Sequence, residues 1–474
     1  MSVRPAEGVA FGAEAAVLVV GAGAAGLVAA LAAREAGADV VVLERDRLPA
    51  GSTALSSGMV PAAGTRIQAA RGVEDSIERM LADIQAKAHG ENDPAIVAAA
   101  CRAVAEAVDW LRERHDIPFE LVEGFLYPGH SRPRMHAPPS RTGAELVGAL
   151  TRAAERVEIP LLTEALVRDL HADGAGRVRG VGVERPGGAI ERIGCGALIL
   201  ACSGFGGDPA MVRRHIPGMA EAMYFGHTGN RGDAVRWGEA LDARLDHMAA
   251  CQGHGSVAVP HGILITWALM MEGGIQVNAL GRRFSNEHEG YSEQSARVLA
   301  QPGGFAWNIH DARLHRLGLD FEDYRKAVSL GAVREAADLP DLAALTGLPA
   351  AALAETLAQV RAFAEGRVRD PFGRDFSSRP PLSPPYFAVR VTGALFHTQG
   401  GLVVDGEARV IGRSGAPLPN LFAAGGAACG LSGTGIDGYL SGNGLLSAVA
   451  FGYLAGRAAA ALGRSGQTAN RTYI

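Results

Sequence analysis

A chain of 474 residues, 48% hydrophobic and 20% charged, has room for two or three domains around a sizeable core and has the composition of an ordinary globular protein. Its net charge of −5 leaves no basic footprint for nucleic acid. Five cysteines, an odd number with no CxxC pair, argue for reduced, mostly buried thiols and a cytoplasmic location. Residues 1–14 carry no apolar signal core and read as a loosely held tail. Residues 16–44 are the most informative stretch: a valine-rich run, the turn Gly21-Ala22-Gly23-Ala24-Ala25-Gly26, an alanine-leucine helical pattern, a second apolar run and Glu44. This is a strand, tight turn, helix, strand and acid, the arrangement that binds a dinucleotide. Gly21 permits the turn, Gly23 lets backbone approach a pyrophosphate, and Gly26 lets helix and strand pack closely. The helix start offers free N–H groups to phosphates. Glu44, 18 residues past Gly26, can accept a ribose hydroxyl, which favours FAD or NAD over a 2′-phosphorylated cofactor.

Further along, residues 49–66 are small and rich in Gly and Ser, as suits a loop against a ligand. Helical spacing of apolar residues predicts helices within 75–116 and over 142–156. Strands are expected at 160–168, 176–184 and 197–201. From about 245 the strand–helix alternation fades, and 336–366 is a charged helical stretch. Strand-like runs return at 387–391, 402–404 and 421–424, before a closing helix from Gly444. The expected fold is therefore α/β, a Rossmann-like nucleotide-binding domain split into 1–245 and 376–474 around an inserted α+β cap over 246–375. The apolar stretch at 16–33 is accounted for as strand plus helix, so no membrane span is expected.

The glycine motif is one of several recognisable pieces. GSTALSSG (51–58), ALILACSGFGGD (197–208), HTGNRGDAVRWGEALDA (227–243), GRRFSNE (281–287), SPPYFAVRVTGALFHTQGGLVVD (383–405), PNLFAAGGAACG (419–430) and GYLSGNGLLSAVAFGYLAG (438–456) follow in order. Along nearly its whole length the chain resembles the fumarate reductase/3-ketosteroid dehydrogenase superfamily of FAD-dependent oxidoreductases. The resemblance implies FAD. It places Ser52, Thr53, Ser57 and Gly58 beside the flavin and Val167 at the adenine. Ala201, Ser203, Gly204, Asp233 and Gly425 would lie near the cofactor, with Ala24, Ala25 and Arg45 at its nucleotide end. Gly442, Asn443, Gly444, Leu445 and Leu446 would bring a helix N-terminus to the isoalloxazine, where its dipole favours negative charge. Two departures stand out. Gly426 occupies a position where the family often has an acid or amide, and Ser52-Thr53 stands where members with covalent FAD have a His. Dissociable FAD is therefore expected.

The same resemblance locates chemistry. The fumarate-reducing branch holds its dicarboxylate with arginines at two positions that are Tyr291 and Tyr439 here. Both are tyrosines in the ketosteroid dehydrogenase branch, where one takes a proton beside a ketone and the other donates to the ketone oxygen. The resemblance gives Tyr291 the role of base, Tyr127 that of its helper and Tyr439 that of carbonyl polariser. A backbone N–H from 442–443 would complete an oxyanion hole with Tyr439. His397 would position substrate, as the matching His does in the reductase branch. Arg132, Arg134 and His136 read as a solvated basic cluster that, turned inward, would hold an acidic substituent. His130, His247, His254 and His288 lack metal-ligand spacing, so no metal is expected, and Trp110, Trp237, Trp267 and Trp307 read as core. The function expected is a desaturase that oxidises a cyclic ketone, a 3-ketosteroid or a smaller oxocyclohexane, to its α,β-unsaturated form. The alternative is a fumarate-type ene-reductase of an unsaturated acid; a third reading is a flavoprotein-fold binding protein without turnover. The expected partners are a small ketone and an electron acceptor among oxygen, quinone or carrier protein; homo-oligomerisation is compatible with the apolar cap.

Overall fold

The strand Ala13–Val20 is buried on both faces from Val17 onward, the pattern of a strand inside a parallel sheet covered by helices. A computed structural model describes residues 1–467, with side chains to 462, and places this strand parallel to both Val40–Leu43 and Ile190–Leu200. Gly21 follows at φ +106°, and a Cβ there would stand 2.5 Å from the Ala201 carbonyl oxygen. Only glycine makes this turn. A Cβ on Gly26 would lie 1.8 Å from the Gly21 oxygen, so the helix Ala24–Glu35 can pack back onto its own strand.

The nine-stranded sheet runs Ser2–Pro5, Leu166–Ala172, Val178–Glu184, Ile190–Leu200, Ala13–Val20, Val40–Leu43 and Leu161–Leu162, with Pro417–Ala423 and Arg409–Ile411 as a branch. Ile190–Leu200 joins the two parts of the chain. Its first half pairs antiparallel with Val178–Glu184, and Leu198–Leu200 pair parallel with 421–423. The first residues are fastened instead of forming the loose tail expected. Ser2–Pro5 is an edge strand parallel to Leu166–Ala172, and the Ser2 hydroxyl donates to Asp169 at 2.6 Å.

The second sheet has seven strands, centred on Tyr386–Thr398 and flanked by Cys251–Ala258 and Phe305–Asp311. Tyr386–Thr398 lies beyond the boundary at 375 drawn from the sequence, so the cap sheet takes its central strand from the returning segment. Its pairing partners decide this: Cys251–Ala258, Phe305–Asp311 and Arg334–Ala336 all bond to it.

The closing helix Asn443–Gln467 crosses Ala24–Glu35 with backbones nearly touching. A Cβ on Gly452 would be 2.5 Å from the Ala25 oxygen, and one on Gly456 would be 2.2 Å from the Ala29 oxygen. The 443–462 part is long and apolar enough to cross a bilayer, yet 67% of that window is buried within the protein, as a core helix is. All five cysteines are free thiols, Cys101 and Cys251 fully buried. Among the described residues no cluster of His, Cys, Asp or Glu could hold a metal ion.

Candidate active site

A cleft of about 610 Å³ is walled by both sheets and the loops between them. Its nucleotide end is the glycine turn. The helix Ala24–Glu35 starts with no side-chain cap of its own, and the Ala24 N–H donates to Thr53 Oγ1 at 3.1 Å. Glu44 is 6% exposed, and its two oxygens accept from the Ala22 N–H at 2.8 Å and the Asp46 N–H at 2.9 Å. Burial pushes its carboxyl above the ordinary range, and those two N–H groups oppose the push. Each carboxylate oxygen keeps a second acceptor site. Ser52 ties the loops together: its hydroxyl accepts from the His227 N–H at 3.0 Å and the Asn230 side chain at 2.8 Å. Arg45 donates to the Gly229 carbonyl at 2.7 Å.

The cofactor residues expected from sequence divide into two groups. Gly21, Gly23, Ala24, Ala25, Glu44 and Arg45 line the cleft. So do Ser52, Thr53, Ser57, Val167, Ala201 and Ser203. Asp233, Gly425, Gly442, Gly444 and Leu445 complete the wall. Gly26, Gly58, Gly204, Asn443 and Leu446 stand behind it, a correction to their expected contact. Each has a packing reason. A Cβ on Gly58 would meet the Thr142 oxygen at 2.6 Å, and one on Gly204 would meet Thr398 Oγ1 at 2.0 Å. Asn443 is fully buried and donates to Ser432 at 3.2 Å, and Leu446 is fully buried core. An open helix start for phosphates, a fixed buried acid for a hydroxyl and a second helix start at the far end fit a flavin dinucleotide.

At that far end three phenols meet. Tyr291 opens the helix Tyr291–Leu299, which packs on the strand Cys251–Ala258. Its ring stacks on His254 at 4.6 Å between centroids, and the Tyr439 and Tyr127 rings lie at 6.2 Å and 6.4 Å. Ser441, which favours the phenolate of Tyr291, and Tyr439 stand beside the Tyr291 hydroxyl. The Tyr127 ring meets Tyr291 edge-on, and among the described residues no hydrogen bond joins their hydroxyls, so the direct helper contact expected from sequence is not made. Tyr439 accepts from the Gly444 N–H at 3.3 Å. The Asn443 N–H is spent on the Leu440 carbonyl at 3.0 Å, which removes it from the expected oxyanion hole. His397 sits edge-on to Tyr439 at 5.5 Å, its Nδ1 against the Thr398 carbonyl and the Gln399 amide. A Cβ on Gly444 would come within 2.6 Å of His397 Nε2, so glycine is needed for this approach.

Burial sets the charge states. It raises Tyr127 to about 12 and holds Tyr291 and Tyr439 well above the ordinary phenol range. It lowers His397 to about 4 and His254 to about 3. His254 Nδ1 accepts from the Ser256 N–H at 3.1 Å, which puts the imidazole proton on Nε2. All five groups are neutral at pH 7.

The basic cluster expected at 132–136 is not in the cleft. Arg134 is fully buried and paired with Asp75 at 3.0 Å and Asp83 at 2.8 Å; these acids draw it away. His136 bonds Thr65 at 2.8 Å, and Arg132 lies at the surface bonded to Ser131. Sequence reasoning missed His254, whose place is set by helix-on-strand packing, and Arg141, which does line the cleft. A lone His in a Gly-rich strand and a lone Arg in a loop carry no pattern to find them by.

Comparison with known proteins accords with this geometry. Residues 16–445 match the profile of the FAD binding domain family. A probable fumarate reductase of Shewanella frigidimarina is 30% identical over 94% of this chain and 74% of its own length. A 4-oxocyclohexanecarboxylate 2-dehydrogenase of Sinomonas cyclohexanicum is 27% identical, covering 93% of this chain and 92% of its own. The solved structure of a 3-ketosteroid-Δ4-(5α)-dehydrogenase from Rhodococcus jostii, bound to 4-androstene-3,17-dione, superposes with a TM-score of 0.78 at 27% identity over 97% of this chain and 99% of its own. With its glycine turn, its buried acid and its second helix start all on one cleft, the chain belongs to the FAD binding domain family and is an FAD-dependent oxidoreductase related to both the fumarate reductases and the ketosteroid dehydrogenases.

Proposed function

We propose that this protein is a dehydrogenase that desaturates a cyclic ketone next to its carbonyl. The observation that carries this reading is the meeting of Tyr291, Tyr439 and Tyr127 at the Gly444 helix start, with no guanidinium among them. Phenols suit a neutral ketone; a dicarboxylate would call for cations. Tyr291 takes the α-proton. Tyr439, whose oxygen already accepts the Gly444 N–H, has its own proton to give to the ketone oxygen as negative charge develops there. His397, neutral and fixed through Nδ1, shapes the pocket beside Tyr439. FAD, when bound, supplies the acceptor for the hydride from the neighbouring carbon. The 4-oxocyclohexanecarboxylate and ketosteroid dehydrogenases among its relatives support the ketone class.

Replacing Tyr291 with Phe tests the reading. The variant is expected to bind FAD and stay yellow while turnover falls by about 10²–10⁴-fold, the range for loss of a positioned base. The assay is anaerobic bleaching of the flavin by cyclohexanone, 4-oxocyclohexanecarboxylate and 3-ketosteroids. Full activity in Tyr291→Phe ends the assignment. Bleaching by none of the ketones, with reoxidation of reduced protein by fumarate, would support the reductase reading favoured by the 30% identity to a fumarate reductase.

A further inference from the structure

Among the described residues Arg141 faces the cleft without an ion-pair partner. Arg141 lies between the strand Met135–Ala137 and the helix Gly143–Arg156, half-buried, at φ +54°. Its guanidinium stands over the Phe321 ring at 5.5 Å, and among the described residues it makes no ion pair and no side-chain hydrogen bond. The other arginines near the site are engaged: Arg45 on Gly229, and Arg134 on Asp75 and Asp83. Glu322 and Asp323 also line the cleft, beside Lys326, and neither pairs with Arg141. A partly desolvated guanidinium with five unused donors is a costly arrangement unless a ligand completes it.

The wall between this cation and the phenols is aromatic. Phe321, Tyr127 and Tyr291 line the cleft; Phe125 stands behind them, 5.9 Å from Phe321 and 5.1 Å from Tyr127, and Tyr127 lies 6.4 Å from Tyr291. A ligand along this wall meets hydrogen-bonding phenols at one end, rings along its body and a planar cation at the other. We propose that Arg141 binds a carboxylate on the substrate, at the end of its ring away from the ketone. The substrate is then a cyclic oxo-acid and not a neutral steroid, which would leave the guanidinium unsatisfied. Planar bidentate pairing with carboxylate is what a guanidinium does best. This rests on the ketone-dehydrogenase reading of the same site.

The test measures binding, so it can be read even if no ketone is turned over. Oxidised holoenzyme is titrated with cyclohexanecarboxylate, which has the acid but no ketone, and separately with cyclohexanone, following the change in the visible flavin spectrum. In Arg141→Ala the preference for the acid over cyclohexanone is expected to fall about 10–100-fold, the usual worth of a charge-assisted hydrogen-bonded pair. Arg141→Lys, which keeps charge but not the fork, should fall between. With 4-oxocyclohexanecarboxylate as substrate the loss should appear mainly in KM. An unchanged preference in Arg141→Ala overturns the proposal, as does a wild-type protein that does not bind the acid. Loss of FAD from Arg141→Ala would also overturn it by assigning the residue to the cofactor. A preference that falls as expected in a protein no ketone reduces would leave the carboxylate site standing and remove the desaturase reading.

Discussion

A buried phenol makes a reluctant base. Tyr291 is packed between His254, Tyr127 and Tyr439, and burial holds its proton on well above the usual phenol range, with Ser441 the main counterweight. The active form of a base is the deprotonated one, and below its pKa that fraction grows tenfold per pH unit. We therefore expect kcat/KM for ketone oxidation to rise with pH at a slope near one and to reach no plateau by about pH 10, the free phenol pKa. A bell or plateau centred near neutrality would mean that another group takes the proton. The phenols were legible through the family resemblance, which sets Tyr291 just past GRRFSNE and Tyr439 just before the final Gly-Asn pair. Their hydroxyl partners were not. Whether the Tyr127 hydroxyl reaches Tyr291 is decided by a loop meeting the cap, which local pattern does not encode.

At the scale of elements, the glycine turn and its helix were read directly, because each glycine there answers a backbone contact within a few residues. The strand Tyr386–Thr398 was assigned to the wrong side of the boundary. A long apolar strand shows that it will be buried but not which sheet will bury it, and its partners Cys251–Ala258, Phe305–Asp311 and Arg334–Ala336 all come from distant, earlier parts of the chain. Ser2–Pro5 was missed because four residues at a sheet edge carry no periodicity. The crossing of Asn443–Gln467 over Ala24–Glu35 yields a sharper expectation. Gly456→Ala gains about 1 kcal/mol in helix propensity. It also forces a methyl group to within 2.2 Å of the Ala29 carbonyl oxygen, and overpacking of this kind costs about 1–3 kcal/mol. Loss should win. Both helices begin at the cleft, so the variant should melt lower and release FAD more readily, read from its thermal midpoint and the fluorescence of freed flavin. An unchanged midpoint would show that the crossing is looser than drawn.

For the whole molecule, the buried imidazoles matter more than the net charge. Burial lowers His130, His136 and His397 to about 4 and His254 and His310 to about 3. The unfolded chain protonates these groups near 6.5. Above that pH neither state takes up protons; below it the unfolded state does and the folded one does not. Stability should therefore fall as pH drops from about 6.5 toward 4, by about 1.4 kcal/mol per pH unit for each such histidine. Thermal unfolding at pH 7, 6 and 5 checks this, and a midpoint that held or rose on acidification would refute it.

The strand Tyr386–Thr398 has one more consequence. It begins in the middle of the cap sheet and ends with Thr398 accepting the Phe205 N–H, on the turn that follows the nucleotide sheet. His397 is the residue before that anchor. The strand is thus a rigid arm shared by both halves of the molecule, with the histidine at its tip. Any rotation of the cap sheet would therefore carry His397 with it, so a change in cap position would be read directly at the phenol cluster.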